Sequence, residues 1–555
     1  MPDQTDSLFP AHLAELRRRA DAALEAGGFA ALVVYSGRPR YTFQDDRPYP
    51  FAVNPHFKQW LPVTDAPDCF VAYTPGQRPR LCFHQPADYW HRPPVLPEGD
   101  WQREFDISIV REPGAARELL PTDLRSTAFV GEWQAEFEPW GFGAVNPAAV
   151  LAHLHFQRAV KTPYELECMR RASVIAARGH IAARDAFLAG ASEFEVHLAY
   201  CAASGQREND LPYGNIIAFD AGAAVLHYQH LEHGRDVPRR SFLIDAGAQF
   251  RGYASDITRT WPAGDPEFAA LVAGMDALQR ALVAGIRARR DYRDVHLEAH
   301  RAIGQLLGDA GIVRCDAEAA VAEGVTSVFF PHGIGHLLGL QVHDVAGLAA
   351  SAVGGEIPRP AGHPFLRLTR VLEPGFVVTV EPGLYFIDLL LGAARADGDR
   401  ELGGGCVGDA LREVERLRRL GAFQEDPAQE LLGGERRAER GGEVDADTLG
   451  AGPRVGEPGV REGHARRRHR ELRREADPAG GRGRDPARRV ALADECGEVR
   501  PAFAVQAVAA VHLGGDGLSR GEGRRQGLAA MAAGTDRPET GDHRLSAQAL
   551  PLRNV

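Results

Sequence analysis

The chain has 555 residues, 44% of them apolar and 25% charged, with a formal net charge of −11. That length allows two or more domains and a large core, at roughly 150 residues per domain. No run approaches the roughly 18–20 consecutive apolar residues of a membrane helix, and the start Met1-Pro2-Asp3-Gln4-Thr5-Asp6 lacks a signal-peptide pattern. The seven cysteines are scattered and without Cys-x-x-Cys spacing, so reduced thiols in a cytoplasm are expected. Membrane proteins, secreted miniproteins and strongly basic nucleic-acid binders are thereby excluded.

Residues 13–26 have the pattern of a helix, stopped by Gly27 and Gly28. Residues 30–35 and 69–73 read as buried strands. The stretch 41–65 between them is rich in Pro and aromatics and long for a structureless connection; such loops are often functional. Residues 1–160 together read as an α/β domain. A second domain, 161–388, opens at Thr162-Pro163-Tyr164-Glu165, with Thr as cap, Pro in the first turn and Glu three after the cap. Ser192 and Glu195 repeat the pattern. Asp265-Pro266-Glu267 opens a helix to about residue 287, and 292–308 supplies another. Strand-like runs lie at 214–220, 241–261 and 376–381. Helices in runs and strands in runs predict α+β layers rather than a doubly wound sheet.

Composition changes abruptly after residue 388. The last 167 residues hold 28 Arg and 28 Gly, two aromatics (Phe423 and Phe503), and no Lys, Ile, Tyr or Trp. Asp plus Glu there also number 28, so this segment is neutral and the −11 belongs to the first 388 residues. A mixed-sign tail lacks the positive field that phosphate binding needs. One so poor in large apolar side chains cannot offset its ordering entropy. Residues 389–555 therefore read as a poorly ordered tail or a wrong-frame translation of a GC-rich gene, with 409–420 able to form a short charged helix.

The chemistry gathers in the second domain. In 241–260, a turn tip at Phe250 and Arg251 would set Asp245 opposite Asp256, with Cβ atoms roughly 4.5–5.5 Å apart. Two carboxylates that close repel unless protonated or neutralised by cations, and a pair of divalent ions about 3.5–4 Å apart needs such ligands. Either Asp alone could be a turn residue. The segment Phe330-Pro331-His332-Gly333-Ile334-Gly335-His336-Leu337-Leu338-Gly339-Leu340-Gln341-Val342-His343 sets three His among glycines. Alternation over 340–343 suits a strand presenting His343 to a cleft. Glu381 ends a buried-looking strand, where an unpartnered carboxylate would be costly and a metal is a natural partner; Glu373 reads as an ordinary turn acid. His227 directly follows the apolar Val225 and Leu226, which makes it a better candidate than His230.

In order, Asp245, Asp256, the Gly-His-rich segment and Glu381-Pro382-Gly383 resemble the pita-bread metallopeptidases. The resemblance extends to bacterial Xaa-Pro dipeptidases and the related organophosphorus acid anhydrolases through Asp45-Asp46-Arg47-Pro48-Tyr49, Asn54-Pro55-His56-Phe57-Lys58, Asp88-Tyr89-Trp90-His91, Asn209-Asp210-Leu211-Pro212-Tyr213 and His363-Pro364-Phe365-Leu366-Arg367. It implies two divalent metals, usually manganese, held by Asp245, Asp256, His336 and Glu381, with Asp256 bridging. It implies supporting or substrate-contacting roles for His227, His332 and His343, and a pocket position for Tyr213. Asp45 and Trp90 match positions near the pocket that some members contribute across a homodimer interface. The implied reaction is hydrolysis of an Xaa-Pro dipeptide, with His332 or His343 donating to the oxyanion and Glu381 moving the proton.

One part of the pattern is missing. The family's fifth ligand is a Glu in a Gly-Gly-x-Arg-x-Glu-Asp stretch downstream of the Glu matched by Glu381, and no such stretch follows residue 388. A bridging carboxylate and a core strand would then be lost, and a sheet edge left uncovered. Two other readings remain open: a non-catalytic binding protein on the same fold, or a hydrolase of the same fold acting on phosphoester-type or other substrates.

Overall fold

The structure, a computed structural model, describes residues 4–235, 239–401, 406, 410 and 511–512. The expectations for the tail beyond 401 thus lie almost wholly outside the described residues.

Six strands build the first half: β1 (Ala31–Tyr35), β2 (Phe70–Tyr73), β3 (Arg80–His84), β4 (Asp106–Val110), β5 (Thr127–Val130) and β6 (Ala144–Val145). They form a mixed sheet in the order β4-β3-β2-β1-β5-β6. Alternate residues of a strand face opposite sides. Leu32 and Val34 accordingly pack with Leu13, Leu16 and Leu24 of the helix Gln4–Gly27, and Val33 and Tyr35 pack with Phe70, Phe129 and Phe137 on the other face. That helix starts nine residues before the sequence pattern suggests, and its added turns are held by Phe9 against the Tyr164 ring.

The second half opens with the helix Pro163–Leu188, whose Thr162–Glu165 capping box is formed on both sides; the helix Glu193–Ser204 has the same box on Ser192 and Glu195. Both pack on a three-stranded sheet of β7 (Ile216–Phe219), β8 (Ser241–Asp245) and, past the short hairpin β9 (Gln249–Phe250) and β10 (Tyr253–Ala254), β11 (Thr258–Pro262), in the order β11-β8-β7. Phe187, Val196 and Tyr200 meet Ile217, Phe242 and Ile244 there. The helices Pro266–Ala284 and Tyr292–Asp309 bury Met275, Val295 and Ile303 against Phe376, Val378 and Val380.

Four expectations are corrected. Residues 340–343 are not a strand; the chain bends there, and Leu337 makes only a single bridge to Val378. After the hairpin β12 (Ala349–Ser351) and β13 (Gly354–Glu356), regular pairing in the 376–381 run is confined to β14 (Val377–Val378). Its edge is not uncovered: β15 (Val511–His512) pairs with it antiparallel. Finally, Cys315 and Cys406 are not reduced thiols but a disulfide, their Cα atoms 5.6 Å apart, within the range that allows the bond. Cys69, Cys82, Cys168 and Cys201 are free.

A buried ion triad joins the halves. Asp344 receives Arg158 Nη2 at 2.6 Å and Lys161 Nζ at 3.0 Å, and all three side chains are at most 1% exposed. Burial alone would raise the Asp344 pKa, but the two cations hold it down to about 2. Asp344→Asn leaves two buried cations short of a counter-charge, so we expect a loss of about 3–5 kcal/mol in stability, read from urea unfolding at neutral pH.

Candidate metal centre

Asp245 closes β8 and lies beside β11, but the partner across the ladder is Thr258, not Asp256. The turn tip is Arg251–Gly252, one residue later than expected, with both residues at positive φ (53° and 86°). Such a two-residue turn matches the twist of the flanking strands. The shift moves the partner by two residues and so keeps both carboxylates on one face. What joins them is Tyr213, whose hydroxyl lies 2.7 Å from Asp245 Oδ1 and 3.0 Å from Asp256 Oδ1. Gly247 makes room for this: a Cβ there would stand 2.7 Å from the Tyr213 ring and 2.2 Å from the Ser255 carbonyl oxygen.

His336 and Glu381 are set side by side by the backbone. Thr379 N–H donates to His336 O (3.0 Å) and Glu381 N–H to Ile334 O (2.8 Å), so the two segments run as a ladder past the end of β14. Gly335 permits the close approach, since a Cβ would stand 2.3 Å from Thr379 O and 2.5 Å from the Tyr292 hydroxyl. His336 Nδ1 lies 2.9 Å from Leu337 O. A carbonyl only accepts, so Nδ1 is the donor and Nε2 is turned inward, 2.9 Å from Glu381 Oε1 and 3.3 Å from Asp256 Oδ2. An inner imidazole anchored this way is oriented to ligate.

Electrostatics divides Asp245, His336 and Glu381. Burial, with the charge of Asp256, pushes Asp245 up to about 8. Burial opposes the charge on His336, but Glu381 and Asp256 hold it up at about 10. Burial would raise Glu381, but the His336 charge holds it down to about 2. At neutral pH the metal-free centre thus keeps a proton on Asp245 and sets an ionised Glu381 against the His336 imidazolium.

His332 lies at the same rim. Its Nδ1 is 2.9 Å from Gly333 O and must donate, and burial lowers its pKa, so the ring is neutral and Nε2 accepts from the Tyr385 hydroxyl at 3.2 Å. The His343 ring stands edge-on to His336 at 4.4 Å. Burial, then the charge of His336, lowers His343 to about 4. His227 is exposed and lines the same cleft of about 1930 Å³, as do Tyr213, Tyr385 and, from the first half, Arg38, Tyr49 and Lys58. The structure does not bring Asp45 or Trp90 to this cleft. Asp45 is exposed and accepts from the Asp46 and Arg47 N–H groups, and Trp90 is 76% exposed beside Tyr89.

Two residues given no role by sequence stand at the centre. Tyr385, four after Glu381, was within reach of that motif. Tyr292 was not: it reads as an ordinary first helical residue, yet its hydroxyl donates to Thr379 O at 2.5 Å.

Asp256, His336 and Glu381 place one ligand atom each within 4.8 Å of one another. Glu381 Oε1 is buried, with His336 Nε2 2.9 Å away as its ion partner. Carboxylates this closely packed repel unless protonated or neutralised by cations, and three carboxylates with one imidazole suit a hard or borderline divalent ion. The donor set therefore fits a metal. Among the described residues, no fourth carboxylate joins it as a fifth ligand.

Both halves of the chain are similar to known proteins. Residues 7–156 match the family model "Xaa-Pro dipeptidase, N-terminal domain", and residues 167–410 match "Metallopeptidase family M24". An Xaa-Pro dipeptidase of Stenotrophomonas maltophilia is 54% identical over 393 residues, 71% of this chain and 88% of that protein. One of Xanthomonas euvesicatoria is 54% identical over 394 residues, 71% and 89% of the two chains. Among solved structures, Escherichia coli aminopeptidase P with the inhibitor Pro-Leu aligns with a TM-score of 0.54 at 22% identity, over 67% of this chain and 87% of that one. Proline aminopeptidase P II of Yersinia pestis aligns with a TM-score of 0.52 at 24% identity, over 68% and 89%. At that identity the likeness shows the fold.

Proposed function

The chain belongs to metallopeptidase family M24, among its Xaa-Pro dipeptidases, and from that premise we propose that it hydrolyses Xaa-Pro dipeptides at a centre of two divalent ions. The observation that carries the reading is the convergence of Asp256, His336 and Glu381, all buried, with one ligand atom each within 4.8 Å of one another. Manganese is the proposed metal, since the donors are mostly carboxylate oxygens. When bound, the ions supply a water nucleophile of lowered pKa and polarise the scissile carbonyl.

The side chains do the rest. Asp245, Asp256, His336 and Glu381 would hold the ions, with Asp256 as the ligand proposed to be common to both. Tyr213 orients the two aspartates through its hydroxyl. Glu381 takes the proton of the attacking water and passes it to the prolyl nitrogen, which carries no hydrogen in the imide bond. The oxyanion donor is His343 rather than His332, because the His332 N–H is already committed to Gly333 O. His227, exposed in the same cleft, is placed to meet the substrate. Nothing in the site favours a binding-only protein or a phosphoester hydrolase.

A homodimer and a cytoplasmic location complete the proposal. Phe43, Tyr89 and Trp90 are 88%, 85% and 76% exposed, and an apolar surface of this kind suits a partner. A second copy there would give Asp45 and Trp90 a site to reach. Among the described residues Cys69, Cys82, Cys168 and Cys201 are free, which favours that location, while the Cys315–Cys406 disulfide argues the other way. No helix of the described residues is long and apolar enough to cross a membrane.

With no fourth carboxylate among the described residues, one ion is expected to be held firmly and the second weakly. Dialysed protein is expected to keep about one manganese and to turn over Gly-Pro or Leu-Pro slowly, with gain on adding Mn²⁺ and no cleavage of longer Xaa-Pro peptides. Two firmly held ions with full turnover would sink the impairment, and cleavage of longer peptides would make it an aminopeptidase. The gene offers a separate check: another reading frame downstream of codon 388 should encode the Gly-Gly-x-Arg-x-Glu-Asp stretch, and its absence from all three frames ends the wrong-frame account.

A further inference from the structure

A second cluster of imidazoles lies apart from this centre. His296 and His300 are four residues apart on the helix Tyr292–Asp309 and so share a face. Each is only 1% exposed. His363, from the loop between β13 and β14, faces them, with ring centroids 4.6 Å from both. The three residues can place one ring nitrogen each within 4.8 Å of one another.

The hydrogen bonding around them is incomplete. His300 Nδ1 is paired with the Thr326 hydroxyl at 2.9 Å, which leaves Nε2 to face the cluster. His300 Nε2 and both ring nitrogens of His296 are buried with no partner. A neutral imidazole carries one donor and one acceptor, so a buried ring with neither used is an anomaly that needs an occupant. A histidine pair at i, i+4 joined by a third histidine matches the three-ligand pattern of borderline transition ions, with one position left open. The Thr326 bond is the outer contact that such a ligand usually has.

We propose that His296, His300 and His363 form a further metal site, for a zinc-like divalent transition ion, distinct from the dinuclear centre. Its ion ties the helix to the loop that continues into Pro364, Phe365 and Arg367, which line the cleft. Leu366 of that loop packs on Gly333, where a Cβ would stand 2.8 Å from the Leu366 Cα. The ion therefore steadies one wall of the cleft without touching the substrate.

The test uses the full chain carrying Asp256→Asn, so that failure of the dinuclear centre does not enter. After equilibrium dialysis with Zn²⁺ alone, metal is counted by mass spectrometry. About one retained zinc is expected. His363→Ala, on a partly exposed loop, should weaken retention about tenfold or more, and His300→Gln should do the same, with circular dichroism unchanged in at least the first. The Co²⁺-loaded protein should show the visible absorption of a low-coordinate site, lost with His363→Ala. Zinc kept equally well by His363→Ala, or held only while free zinc is in large excess, overturns the site.

Discussion

Asp256→Asn is expected to lower divalent-ion affinity by more than the roughly 10–100-fold that loss of an outer-shell contact costs, and to reduce dipeptide turnover to background at metal concentrations that activate the parent chain. Asn keeps the volume and can still accept from the Tyr213 hydroxyl, so the hairpin and its 3.0 Å contact need not move. What is lost is the charge that the two ion positions would share. The same change has a readout that needs no metal. Asp245 is raised first by burial and second by the charge of Asp256, so removing that charge should bring the Asp245 titration down from about 8. Carboxyl NMR of the metal-free protein measures it. An Asp245 titration that stays put in the variant would mean that the two acids do not share a site, and the proposed bridge would go with it.

The parts of the site legible in sequence are those where a polar group interrupts an apolar run. Asp245 at the end of buried β8 and Glu381 after Val377–Val380 stood out because a carboxylate there demands a partner. Capping is equally local: Thr162–Glu165 and Ser192–Glu195 are fixed by three-residue spacing, and both boxes formed. The hairpin register was one residue out at its tip, because Arg251 takes a left-handed φ of 53° that residue type does not announce. The face of Asp256 survived that error only because strand periodicity is two. Alternation at 340–343 misled for a different reason. Gly339 lies so close to the buried Asp344 that a Cβ would stand 2.3 Å from its Oδ2, so the ion triad, not a ladder, sets the path of that segment. Tyr292, the Cys315–Cys406 bridge across 91 residues, and the pairing of Val511–His512 with Val377–Val378 depend on contacts between remote segments that no periodicity records.

Metal binding should release about two protons near neutral pH and strengthen by up to about 100-fold per pH unit between pH 6 and 7. In the metal-free chain Asp245 keeps its proton to about 8 and His336 its second proton to about 10, while Glu381, held down to about 2, is already ionised. Both protons must leave before the ions take their ligands. Stability of the metal-free chain moves the other way. The Asp245 contribution is fully present below its ordinary value of 3.8 and is lost as pH rises through about 8, and that of His336 is lost through about 10. Glu381 acts only at the acid end, where its contribution disappears as pH falls through about 2. Alkali therefore weakens the empty protein while strengthening its hold on the ion, and an ion bound to the folded state alone stabilises it by mass action. The gap in Tm between manganese-loaded and metal-free protein should widen steadily from pH 6 to pH 8. Calorimetric titration in two buffers of different ionisation enthalpy counts the protons directly. A gap that narrows over that range, or a proton count near zero, would show that Asp245 and His336 already stand deprotonated and that the charge pattern assigned to the empty centre is wrong.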